Sequence, residues 1–113
     1  MSSNTKTLEV ITVEASLDSA GKYVGEFILP LTYDVNIINE LTNRMKIAGP
    51  NRESKYDYDE ITFIDRANNK CRARDLMLTG QTAHNHFEYE SDGTRVVGAH
   101  VYRFTCNDFT YDQ

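Results

Sequence analysis

A chain of 113 residues, 40% hydrophobic and 26% charged, is long enough for one domain with a real core and too ordinary in composition for wholesale disorder. The formal net charge of −5 repels nucleic acid and anionic membrane on average, so nucleic acid is not an expected partner unless a local basic patch overrides the field. No apolar run approaches the roughly 18 residues of a membrane span and the first residues lack an apolar signal core, so the sequence reads as cytoplasmic, with no membrane association.

Residues 1–7 are polar and expected to fray. From Leu8 to Leu17, Ile11, Val13, Ala15 and Leu17 alternate with polar residues, which predicts one strand. After a short loop around Gly21, Tyr23, Phe27, Leu29 and Leu31 alternate again, giving a hairpin whose second strand ends at Pro30 or lies on an edge. Asp34 is a good N-cap, and Ile37, Ile38, Leu41, Met45 and Ala48 follow at helical spacing until Gly49 and Pro50 stop them. This is the one helix expected.

Ile61–Asp65 and Cys71–Leu78 form the next predicted hairpin; with Asn68 and Asn69 at the turn centre, Asp65 faces Arg72 and Ile61 faces Leu76. Thr79 and Gly80 then punctuate the chain. The strongest hairpin signal follows, from His84 to Cys106 around Asp92 and Gly93, a pair suited to a type I′ turn. It predicts that Glu90 faces Arg95, Phe87 faces Gly98 and Asn85 faces His100, with Phe87, Tyr89, Val96, Gly98, Tyr102 and Phe104 on a core face. The last residues, 107–113, form an acidic tail in which Phe109 and Tyr111 can extend a strand or dock. The expectation is a single mainly β domain over 1–113, in the order ββαββββ. It is an antiparallel β-sandwich or open barrel with one covering α-helix, and an α+β roll is the alternative.

Three motifs invite a chemical reading. His84, Asn85 and His86 spell HNH, but no helix follows to complete the metal-binding unit of that nuclease. His84, His86 and Glu90 resemble the first metal motif of the cupin family over seven residues, with His100 as a later ligand. That resemblance implies a metal ion, yet the turn-derived register sends His100 to the opposite face, where it cannot share an ion bound at about 2.1 Å. No metal and no cofactor are therefore expected. Lys70, Arg72 and Arg74 alternate on one strand with Arg66 at the adjacent turn, a basic group able to hold an anion or an acidic partner surface; otherwise it is a charged, protected edge strand.

Tyr56 and Tyr58 lie in the acidic stretch Tyr56–Glu60 and are candidate interface anchors. Cys71 and Cys106 lie too far apart in sequence for a metal knuckle and suggest buried free thiols. Without a catalytic constellation, the sequence leans away from an enzyme. The leading expectation is a binding or assembly module that meets a protein partner or itself as a homo-oligomer, through Arg66, Lys70, Arg72, Arg74, Tyr56 and Tyr58. The alternative is a small-molecule binding protein, for a nucleotide or other small anionic ligand, or a minimal enzyme using a pocket of Asn85, Tyr89, His100 and Tyr102.

Overall fold

In the computed structural model, residues 4–47, 56–90 and 93–112 are described, with side chains described for all of these except 46–47, 84–90 and 93–97. Alternating apolar positions build β1 (Thr5–Glu9), β2 (Thr12–Leu17), β3 (Tyr23–Pro30), β4 (Tyr58–Ile64), β5 (Lys70–Glu90), β6 (Gly93–Cys106) and β7 (Asp108–Asp112). The 3.6-residue pattern builds α1 (Val35–Ile47) between β3 and β4. The sheet runs β1-β4-β5-β6-β3-β2, with β7 on β5, and curls into a half-barrel. The protein is mainly β with one covering helix among the described residues, in roughly the expected order.

β5 ties the two halves together. Its first part, to Leu76, lies between β4 and β7, and its second, from Met77, lies beside β6. The halves fold over one another so that Phe63 of the first meets Phe27 and Phe104 of the second at ring separations of 5.0 and 5.8 Å. The bend has a visible cause. Inward side chains normally recur every second residue, but at one level buried positions are three apart: Tyr58 and Ile61 on β4, Ala73 and Leu76 on β5, and Cys106 and Phe109 across the junction of β6 and β7. Asp75, at φ 55°, supplies the irregular backbone on β5. At the opposite corner buried Val10 and Ile11 carry the chain from β1 to β2, donating to the carbonyls of Ile64 and Ile28.

Several expectations are corrected here. The predicted strand over Leu8–Leu17 is two strands, because its middle bonds to two different neighbours. Residues 5–7 do not fray but belong to β1, which pairs in parallel with β4, and the acidic tail supplies β7. Thr79–Gly80 is no break: β5 continues through it with a register shift between Leu78 and Gly80.

The β4–β5 turn also differs. Asn68 donates to the Asp65 carbonyl and adopts φ 65°, while the Asp65 Oδ1 accepts from Ala67 and Asn69, each at 2.9 Å. The loop is therefore one residue longer than expected, and Ile61 faces Ala73 rather than Leu76. In the long hairpin Glu90 pairs with Gly93, so Glu88, not Glu90, faces Arg95, Phe87 faces Val96 and His100 faces Ala83. The displacement is by two residues, so the predicted faces survive. Burial of Tyr102 and Phe104 against β3 fixes the face of β6 but tolerates an even slip. Ser91 and Asp92 of the predicted turn lie outside the described residues.

The helix starts as expected, with the Asp34 Oδ1 accepting from Asn36 at 2.8 Å. Leu41 is buried, with Ile37, Ile38 and Met45 packed around the same core. Its predicted stop at Ala48–Pro50 lies outside the described residues.

Candidate functional site

Arg72 and Arg74 stand on the outer face of β5, which at this point has β4 on one side and β7 on the other. It is a central strand, so protection of an exposed edge does not account for the charges. Arg72 pairs with Asp112 at 3.2 Å and Glu60 at 3.8 Å, and Arg74 stands in register between Glu60 and Asp108. Together with Thr110, the two arginines, Glu60 and Asp108 line a shallow hollow of about 320 Å³. The carboxylates offset the arginines, so the field favours no free anion, and exposed pairs of this kind stabilise little. Lys70 pairs in register with Asp112, while Arg66 lines a separate hollow with Tyr33, Asp65 and Asn68. The structure does not join the four cations into one site.

The two tyrosines part company as well. Tyr56 accepts from the Asn107 side chain at 3.0 Å. Tyr58 is fully buried, with Arg44 over its ring at 4.5 Å and its hydroxyl donating to Glu40 at 2.7 Å, so it presents nothing to a partner. It belongs to a polar knot that sequence reading missed. Arg44 donates to the Asp57 carbonyl at 2.6 Å and to Asn4 Oδ1 at 3.1 Å, Lys6 pairs with Glu40 at 2.7 Å, and the buried Asp57 carboxylate accepts from the Leu78 amide at 2.7 Å. The knot fastens α1 and β1 to the bend of β5. Six residues from distant segments, Asn4, Lys6, Glu40, Arg44, Asp57 and Tyr58, meet there, and the acidic run around Asp57 looks solvated in one dimension, so no local signal could have found it.

Burial opposes the charged form of Glu40, but hydrogen bonds from Lys6 and Tyr58 and the charges of Lys6 and Arg44 outweigh it and hold the carboxyl below its ordinary value of 4.5. A group with a lowered folded pKa adds stability that is complete above its unfolded value and is lost as pH falls through the folded one. Stability should therefore decline as pH drops below about 4.5. Urea midpoints measured from neutral pH into this acid range should fall less for Glu40→Gln than for the parent chain. An identical profile would remove Glu40 as a source of the decline.

Of the alternative pocket, His100 is half-buried and Tyr102 fully buried. The Gln81 amide nitrogen lies 3.1 Å from His100 Nδ1 and donates to the Tyr102 hydroxyl at 3.3 Å. Asn85 faces Gly98, and the side chains of Asn85, Tyr89, His84, His86 and Glu90 lie outside the described residues. The Leu31 side chain covers Gly98, while Gly25, with the Glu14 carbonyl and Ala15 against it, lines an open hollow of about 340 Å³ with Ser16, Val24, Glu26 and Arg103. Among the described residues no three His, Cys, Asp or Glu side chains gather as a metal site. Cys71 and Cys106 are buried free thiols, and burial pushes each up to about 11, so both are protonated at neutral pH.

The feature that remains is backbone. From Gly80 to Glu90, β5 pairs with β6 on one side, while on the other β4 has ended opposite Leu76 and no strand among the described residues takes its place. The last groups covered there are the Leu76 carbonyl and the Leu78 amide, both bonded to Asp57. β3 likewise stops opposite Ala99, so the outer part of the hairpin is a two-stranded ribbon running past the body. The far side of the same half-sheet ends in β2, which pairs only with β3 among the described residues.

No protein-family model matches the chain, and no curated protein and no solved structure is significantly similar to it. Among the described residues no helix is long and apolar enough to cross a membrane.

Proposed function

We propose that the protein is a non-enzymatic assembly module that binds protein through backbone edges of its curled sheet. The observation that carries this reading is the β5 edge from Gly80 to Glu90, which no strand among the described residues covers, continued by a ribbon beyond the body. Unpaired strand amides and carbonyls are a template for another strand, and a two-stranded ribbon by itself is marginal in water. The exposed Thr82 and Ala83 keep the near part of this edge accessible. The reading places the chain in a reducing compartment such as the cytoplasm, a choice supported by its two free buried thiols.

Hydrogen–deuterium exchange checks the reading directly. Roughly alternate amides of an edge strand point away from its one neighbour, so those of Gly80–Glu90 should exchange fast in dilute protein and become protected on association. Association that leaves these amides unprotected would rule out the edge as the contact.

A further inference from the structure

We infer that the partner at this edge is a second copy of the same chain, whose β2 lies antiparallel along Thr79–His84 in a head-to-tail seam. The inference rests on the assembly reading and names its partner. Its first support is direction. The half-sheet β5-β6-β3-β2 is antiparallel at every step, so its two edge strands run in opposite directions. A copy's β2 therefore already runs antiparallel to the β5 edge of the next, and simple repetition continues the sheet unbroken. Such a heterologous contact forms a ring if its rotation closes and a filament if it does not.

The second support is how the edges are dressed. β1 and β7, the edges of the other half, carry Lys6 and Glu9, and Asp108 and Asp112. Each of those strands has two charges in five residues, whereas β2 (TVEASL) has one, Glu14, and Thr79–His84 has no lysine, arginine, carboxylate or proline to block edge pairing.

Charge supplies the third support. Glu14, Glu26, Arg103 and Gly80 form one row across the half-sheet, from the β2 edge to the β5 edge. Because Gly80 has no side chain, the Arg103 guanidinium lies over it, with Nη1 4.0 Å from where a Cβ would stand. One edge of the row thus offers a guanidinium and the other a carboxylate. In the seam Glu14 falls beside Thr82 of the next copy, one pleat from Gly80 and within reach of that copy's Arg103. Pairing β2 on β2 about a two-fold axis would instead put two Glu14 carboxylates on one face, where like charges repel.

A charge exchange tests the seam on the full chain. Sedimentation should show concentration-dependent oligomers for the parent chain, and Glu14→Arg or Arg103→Glu alone should raise the dissociation constant about tenfold or more, since each sets like charges together. An equimolar mixture of the two variants should reassociate close to the parent level, because alternating copies put the reversed pair at one seam and the native pair at the next. Circular dichroism of each variant separates a lost seam from a lost fold, and restoration by mixing can come only from folded chains. A parent chain that stays monomeric at high micromolar concentration overturns the seam, as do variants that associate like the parent. If in that last case the β5 amides are still protected on association, the edge still binds protein and only the head-to-tail copy is excluded.

Discussion

Gly25→Ala is expected to destabilise the protein by about 3 kcal/mol, the upper range for forcing atoms into a filled site. Gly25 faces Ala15 across the β2–β3 pair and Phe104 across the β3–β6 pair. A Cβ there would overlap the Glu14 carbonyl oxygen and stand 2.8 Å from the Ala15 Cβ. Both obstacles belong to β2 close to its backbone, so relief requires β2 to move away from β3. Gly98→Ala makes the contrast. Its Cβ would run into Leu31, whose side chain is half exposed and beyond the end of β3, free to swing aside. That change should cost under about 1 kcal/mol. Urea unfolding of the two variants side by side checks the pair, and equal losses would mean that β2 does not constrain Gly25. Because the proposed seam uses β2, Gly25→Ala should also weaken association more than Gly98→Ala does.

The second large effect is expected at Asp57, 1% exposed. Its carboxylate accepts the Leu78 amide at 2.7 Å, and its own amide donates to the Leu76 carbonyl at 2.8 Å, just before the register shift at Gly80. With the carboxylate removed, a buried amide at the irregular point of β5 loses its acceptor, and the knot with Arg44 and Asn4 loses a charge. Asp57→Ala should cost about 3 kcal/mol, while Asp57→Asn, which keeps an acceptor of similar shape, should lose about half as much. Thermal unfolding of both variants reads the difference. If alanine is tolerated as well as asparagine, the Leu78 bond is not what the carboxylate is for. The neighbouring Tyr58 hydroxyl, pushed up by burial and by Glu40, stays protonated and keeps donating to Glu40 throughout the neutral range.

Of the candidate surface, the sequence placed the charges correctly on alternate positions but could not place their neighbours. Arg72 and Arg74 share a face as their spacing requires, yet Asp112, Asp108 and Glu60 reach them from segments over thirty and about a dozen residues away. Pairing across such separations leaves no local trace. The tyrosines misled for the same reason: the acidic stretch that makes Tyr58 read as an interface anchor bends there and turns Tyr58 into the core.

What the sequence determined by itself is what period and local chemistry control. Most of the strands, the helix begun by Asp34, the apolar face of β6 with Tyr102 and Phe104, and the burial of both cysteines follow from side-chain alternation and from short-range hydrogen bonds. Tertiary structure alone decided register, the parallel pairing of β1 with β4, the shared bend at Ala73–Leu76, and which strands form the edges among the described residues. An even slip of a hairpin leaves its faces unchanged, so hydrophobic pattern cannot choose between registers. Packing across the curled sheet and the bonds gathered at Asp57 can, because only one register meets them both.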